Sequence, residues 1–308
     1  MNKKYVYLLP VLAALFWGGN FVIGRGFSET MPPFTLAFLR WCTAFLFFLP
    51  FGWHDMKTSM PLFKRHWQPV FWLSLTGIVI FNSFVYIAVH FTTSINAALI
   101  NAPAPVFIML LSFLFLKERL AWQHIVGFIF SLIGVLFIIS RGSLEVLLNF
   151  SINKGELWMV AAVIDWAIYS VLVKKYAPLY PAKGLFLVTM AVGAMILAPF
   201  SAYEWLSGVP MTFGMNSIFG ILYLGVFASV AAFLSWNSAV ALVGPGKASP
   251  FLNLIPMFAS FFAVTFLGES LQWSQLAGGS IVIIGVLITT GVLKFRTKST
   301  MKQESYLS

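Results

Sequence analysis

Two charged side chains stand where the rest of their surroundings is apolar: Arg40 in PPFTLAFLRWCTAFLFF and Asp165 in MVAAVIDWAIYSVLV. A charge at membrane depth costs at least about 2.5–3.5 kcal/mol, so each needs a partner or a wet cavity. Counted from the outer ends of their runs they lie about seven and about nine residues in, depths that differ by about 3 Å at 1.5 Å per residue. An Arg40–Asp165 ion pair is therefore feasible. It reads either as a cavity-facing pair that binds a charged or zwitterionic solute and opens with a conformational cycle, or as a permanent strut. Asp165 could also carry a proton.

Neutral polar side chains share this depth: Asn20, Asn82, Asn96, Asn101, Tyr169, Asn237 and Asn253. For any single Asn the plain reading is an interhelical hydrogen bond worth about 0.6 kcal/mol. Asn101 and Asn253 carry an added signal, because prolines follow them (Pro103 and Pro105; Pro256). Proline removes a donor and frees a carbonyl, and broken helices often line transporter sites. Trp17, Trp166 and Trp236 lie within apolar runs rather than at their ends. Together these residues outline an aromatic wall with a few amides, suited to an amphipathic organic solute.

The elements that must hold such a wall follow from composition. The 308 residues are 60% hydrophobic and 9% charged, against roughly 25% charged in soluble domains, so the chain is an integral membrane protein. The net charge of +10 is spread singly and in pairs between apolar runs, as membrane topology requires, and forms no face for nucleic acid. Cys42 has no partner for an intrachain disulfide. Lys3-Lys4 before an apolar run resembles a signal peptide, but no small-residue cleavage site follows. No Walker A, HExxH or G-x-S-x-G motif and no metal-spaced Cys/His cluster occurs, and no catalytic residue, metal or cofactor is expected.

Runs of about 20 apolar residues predict ten membrane helices, near 7–26, 33–51, 69–89, 95–116, 121–140, 156–174, 184–202, 216–236, 246–267 and 272–293. With the N-terminus inside, fifteen of the nineteen Lys and Arg residues fall in inside segments. Arg25, Arg141 and Lys154 fall outside, and Arg40 lies within span 2. Both termini are expected in the cytoplasm.

Shifting the chain by 151 residues places Pro105 on Pro256, Glu118 on Glu269, Trp122 on Trp273, Gly127 on Gly278 and Gly134 on Gly285. A weaker match places Trp17 on Trp166. The chain is thus two copies of five spans, residues 1–146 and 147–293, followed by a polar cytoplasmic tail, 294–308. Five is odd, so the second copy enters the membrane inverted. Lys117 and Arg119 flank Glu118 inside, whereas Gly268 and Ser270 flank Glu269 outside. Both glutamates are expected to cap helix starts, outside any substrate site. Gly127, Ser131 and Gly134 in span 5, and Ala277, Gly278 and Gly285 in span 10, permit close packing within the chain or a homodimer contact.

The motif WGGNF in span 1, Arg40 after PPFTLAFLR, and the doubled P…E.L…G……G signature resemble the EamA-like branch of the drug/metabolite transporter superfamily. The resemblance covers about residues 7–293. It implies a ten-helix inverted repeat, a central cavity from spans 1–4 and 6–9, peripheral spans 5 and 10, and alternating access. It also implies export of small metabolites or amino acids across a bacterial inner or plasma membrane. Inverted copies can exchange conformations about a midplane site. The partners implied are a small-molecule substrate and the lipid bilayer. The rival readings are a channel, a non-transporting scaffold, and an intramembrane enzyme. The last is disfavoured because His54, His66, His90 and His124 lie at or near span ends.

Overall fold

The structure is a computed structural model and describes residues 8–117, 122–148, 153–209, 211–243 and 249–289. The described residues form helices and turns, with no strand. Ten apolar helices succeed one another. In the first copy these are α1 (Leu8–Gly26), α2 (Pro33–Thr58), α3 (Trp67–Phe91), α4 (Ser94–Asn101, resuming at Ala104–Leu116) and α5 (Trp122–Ile139). In the second they are α6 (Lys154–Tyr176), α7 (Ala182–Leu206), α8 (Met215–Leu222 running on through Tyr223–Ala231 to Ala232–Val243), α9 (Leu254–Phe262 running on to Ala263–Leu267) and α10 (Trp273–Thr289). Among the described residues seven are long and apolar enough to cross a membrane, and α5, α9 and α10 are shorter apolar helices.

The boundaries have local causes. Pro33 opens α2, where its missing N–H costs nothing and its fixed φ suits a first turn. Thr93 caps α4, its Oγ1 accepting from the Asn96 N–H at 3.1 Å. Asn153 does the same for α6, its Oδ1 accepting from the Gly155 N–H at 2.7 Å. Pro103 breaks α4 after Asn101, as the sequence suggested.

The pairings of helices show the inversion. The α2–α7 pair is antiparallel: Thr35 at the start of α2 meets Glu204 at the end of α7, and Gly184 near the start of α7 lies on the backbone of Asp55 near the end of α2. The α5–α10 pair is antiparallel too. A Cβ on Gly134 would stand 2.7 Å from the Gly278 oxygen, and one on Gly285 would stand 2.7 Å from the Gly127 oxygen. Gly127, Ser131 and Gly134 of α5 thus meet Gly278 and Gly285 of α10 within the chain. Around these two pairs, α1 packs on α8 and α9 as α6 packs on α3 and α4.

One detail differs from the expected local picture. Glu269 does cap a helix, but the helix is α4 of the other copy rather than the following α10: its Oε1 accepts from the Ser94 N–H at 2.9 Å. Its counterpart Glu118 lies outside the described residues, as does the tail 294–308. The residues preceding these glutamates, Lys117 and Gly268, are both left-handed C-caps with φ of 55° and 66°. Glycine takes that conformation without strain, whereas a residue with a Cβ is disfavoured there by about 1–2 kcal/mol.

Candidate functional site

Between the two copies lies a cavity of about 20 Å³, room for about one water molecule. Trp17, Asn20 and Phe21 of α1, Arg40 of α2, Phe81 of α3 and Asn101 of α4 line it from the first copy. Trp166 of α6, Phe233 of α8, and Leu252 and Ile255 at the start of α9 line it from the second.

Its aromatic wall is centred on the equivalent pair Trp17 and Trp166, whose rings meet edge-on at 5.7 Å. Trp17 also contacts Phe233 at 5.6 Å and Trp236 at 6.0 Å. Trp166 contacts Phe81 at 4.7 Å and Tyr169 at 5.1 Å. Edge-to-face packing, as in the Trp17–Trp166 and Trp17–Phe233 pairs, adds about 0.5–1.5 kcal/mol per pair beyond area burial.

Arg40 is 1% exposed. Its Nε donates to Ser229 Oγ, and its Nη1 donates to Asn20 Oδ1 at 2.7 Å, Asn82 Oδ1 at 2.7 Å and the Tyr86 hydroxyl at 3.0 Å. Its Nη2 donates to the Ala228 carbonyl at 3.1 Å, which also accepts from Trp17 Nε1 at 3.1 Å. Every one of these acceptors is neutral. Among the described residues Nη2 has a single hydrogen-bond acceptor, the guanidinium carbon lies 5.2 Å from the Trp41 ring centroid, and Arg40 lines the cavity.

The network is anchored on two π-helical stretches, Leu75–Ile80 in α3 and Tyr223–Ala231 in α8, which occupy matching helices of the two copies. Wide turns of this kind displace backbone carbonyls from regular helical bonding and recur at functional sites. Asn82 Nδ2 donates to the Gly77 and Ile78 carbonyls at 3.1 and 2.9 Å, and Ser229 Oγ donates to the Leu224 carbonyl at 2.9 Å. Arg40 thereby ties α1, α2, α3 and α8 together through side chains that themselves hold the wide turns.

The Arg40–Asp165 pair that the sequence left feasible is not formed. Successive residues on a helix point about 100° apart, and Trp166 takes the central cavity while Asp165 lines a separate cleft between α3 and α6. Of the other expected site residues, Asn20, Asn101, Trp17 and Trp166 line the cavity with Arg40. Tyr169 and Trp236 stand behind the wall. Asn253 adjoins the lining residue Leu252, and its Oδ1 is buried without a partner, as is Asn101 Oδ1. Asn237 is exposed on α8. Sequence reasoning missed Tyr86, Ser229, Phe81 and Phe233. Tyr86 had a readable signal, since it stands four residues from Asn82 on one helix face.

The EamA-like transporter family model matches the chain twice, over residues 4–140 and 153–291. An uncharacterized transporter of Archaeoglobus fulgidus is 29% identical over 94% of this chain and 98% of its own. The uncharacterized transporter YyaM of Bacillus subtilis is 29% identical over 99% of this chain and all of its own. A probable amino-acid metabolite efflux pump of Salmonella typhimurium is 24% identical over 98% and 99%. A solved crystal structure superposes with a TM-score of 0.62 at 18% identity, over 94% of this chain and 98% of that one, which shows a shared fold. With two matched copies, ten apolar helices and a cavity between them, the chain belongs to the EamA-like transporter family and is a multi-pass membrane transporter.

Proposed function

We propose that the protein is a secondary-active carrier of the cell membrane that exports small zwitterionic metabolites, amino acids foremost, by alternating access about the Trp17–Arg40–Asn101 cavity. One observation carries this reading: a buried guanidinium held only by neutral groups lines the same cavity as an amide oxygen, Asn101 Oδ1, that lacks a donor. A substrate carboxylate would accept from Arg40 Nη2, in a charge-assisted bond of the stronger kind. Its ammonium would donate to Asn101 Oδ1. Trp17 and Trp166 would hold the side chain. The name borne by the Salmonella relative, an amino-acid metabolite efflux pump, supports the substrate class.

The cavity of about 20 Å³ is too small for an amino acid, so loading requires the two copies to part. Inverted copies provide two such partings, one toward each face. The Lys and Arg distribution supports termini on the cytoplasmic side, and the recurrence of motifs supports a repeat boundary near residue 147. The transporter names of the relatives support a role in transport rather than catalysis.

The test is counterflow of radiolabelled amino acids in proteoliposomes, with and without a pH gradient, for the wild type, Arg40→Lys and Asn101→Leu. Saturable exchange of a zwitterionic solute, weakened in both variants while their folded state is kept, is the expected result. Exchange of equal rate in all three proteins would remove the cavity from the substrate path, and absence of saturable flux for every amino acid would overturn the substrate class.

A further inference from the structure

A second, larger space lies beside the central cavity. It is a cleft of about 800 Å³ between the first half of α3 and the second half of α6. Trp67, Trp72, Thr76 and Ile80 form one wall and Ile168, Leu172 and Tyr176 the other. Arg65 and His66 stand at its mouth. The mouth lies at the end of the molecule where Lys57, Lys64, Lys174, Lys175 and Lys183 gather, since the end of α2, the start of α3, the end of α6 and the start of α7 meet there.

Asp165 forms part of the cleft about 11 residues, or roughly 16 Å, in from the Tyr176 end of α6. It is 6% exposed. Its carboxyl lies against the Phe81 backbone, and its Oδ2 is buried with no hydrogen-bond partner. An ionised oxygen in that position calls for a cationic or donor partner. No cationic side chain of α3 or α6 fills the role: of the basic groups lining the cleft, Arg65 and His66 both stand at the mouth, a helix half-length away. The cleft beside the carboxylate is walled by indole, phenol and aliphatic side chains with the Thr76 hydroxyl and the Gln68 amide among them, a combination suited to an ammonium group carried on an apolar body.

We infer that the α3–α6 cleft is a binding site for monocationic alkyl- or arylammonium compounds, with the Asp165 carboxylate taking the ammonium and Trp72, Ile168 and Leu172 taking the apolar body. The site is separate from the central cavity, although its floor is only one residue thick: Ile80 and Asp165 face the cleft, and their neighbours Phe81 and Trp166 face the cavity. Arg65 at the mouth disfavours a second positive charge on the same ligand, so linear diamines bind worse than a monoamine of equal length. The inference does not rest on the transport reading, because it concerns binding alone.

The test uses the full chain in nanodiscs of neutral lipid, with hexylammonium as the probe and tryptophan fluorescence and calorimetry as readouts. Wild type is expected to bind saturably. Asp165→Asn is isosteric and is expected to weaken binding by about 30-fold or more, as when one partner of a buried charge pair is removed. Ile168→Trp fills the cleft from a position 39% exposed and is expected to abolish binding without altering the carboxylate. It also decides the matter should Asp165→Asn fail to fold. Hexane-1,6-diamine is expected to bind more weakly than hexylammonium, and hexanol not to saturate. Equal signals for hexanol and hexylammonium, or unchanged affinity in Ile168→Trp, would show partitioning into lipid and overturn the site.

Discussion

The Glu269 carboxylate sits on the first turn of α4, across the boundary between the two copies: Oε1 accepts from the Ser94 N–H at 2.9 Å and from Ser94 Oγ at 2.7 Å, and Oε2 accepts from the Ile95 N–H at 3.2 Å. It meets the positive end of the helix dipole and satisfies backbone donors that helix geometry leaves without partners. Neighbouring contacts continue the tie. Gln275 Nε2 of α10 donates to Asn96 Oδ1 of α4 at 2.7 Å, and Asn96 Nδ2 donates to Glu156 Oε1 of α6 at 3.2 Å. At the same end Glu204 of α7 accepts from the Phe34 and Thr35 N–H groups of α2. The end opposite the basic cleft is therefore fastened by carboxylates of one copy on helix starts of the other.

If this end must open during transport, the Glu269 cap must break. Charge-assisted caps contribute about 1–2 kcal/mol, enough to shift a two-state balance by about tenfold. Glu269→Ala is expected to raise the population open at this end. In a background where Cys42, the only cysteine, is replaced by Ser, a cysteine substituted for Ala97, which is 0% exposed, should react slowly with a polar maleimide. The same reporter should react several-fold faster once Glu269→Ala is added. Equal rates would show the cap to be a static brace.

Arg40 gives the sharpest separation of charge from geometry. Lysine keeps the charge but lacks the planar fork that reaches Ser229, Asn20, Asn82 and the Ala228 carbonyl together. Arg40→Lys is expected to stay in the membrane and fold while losing most transport. Arg40→Ala leaves Asn82 Oδ1 without a donor and removes the guanidinium bonds to Ser229 and Tyr86, and a buried acceptor left unsatisfied costs about 1–3 kcal/mol. Arg40→Ala should lower the thermal transition by well over the shift seen for Arg40→Lys. Size-exclusion-coupled melting of the purified proteins compares the two, and an Arg40→Ala variant as stable as wild type would refute the structural share of this role.

Much of this arrangement was legible beforehand, for physical reasons. Apolar runs long enough to span a bilayer and a repeated Pro, Glu, Trp and two Gly in one register gave the ten helices and their inversion. Charge and indole nitrogen are expensive in lipid, so Arg40, Trp17 and Trp166 announced a protein-lined interior. Rotation about a helix axis leaves no comparable mark. Asp165 and Trp166 are adjacent in sequence yet serve two different spaces. The π-helical turns of α3 and α8 were equally silent, because the apolar residues that form them would suit a regular helix. Without those turns the reach of Arg40 to Ser229 and Asn82 could not be foreseen.

The partition between cavity and cleft rests on Phe81 and Trp166, whose rings stand 4.7 Å apart. Truncating Trp166 to alanine removes most of that wall and its contacts with Trp17, Phe233 and Tyr169. A loss of about 3–5 kcal/mol in stability is the ordinary cost of such a deletion. Trp166→Phe keeps a ring and should stay near wild type. The expected outcome for transport is broadened selectivity in Trp166→Ala, with bulkier solutes accepted, measured by competition against the best wild-type substrate. Unaltered selectivity would place the partition outside the substrate path.

The α5–α10 pair makes the most stringent packing prediction. A Cβ on Gly134 would lie 2.7 Å from the Gly278 carbonyl oxygen and 2.8 Å from the Val282 backbone nitrogen. Neither is the movable tip of a side chain, so the two helices would have to separate along their length. Overpacking of this kind costs about 1–3 kcal/mol, and Gly134→Val should cost more than Gly134→Ala. Because α5 pairs with α10 away from the cavity-lining residues, the loss should appear as lower melting temperature and lower yield, with the apparent substrate affinity of the surviving folded protein unchanged. The same contact tests the dimer reading. If these small residues act only within the chain, Gly134→Val will leave the oligomeric state in nanodiscs as it is in the wild type. A change of oligomeric state at preserved stability would instead place α5 at an interface between copies.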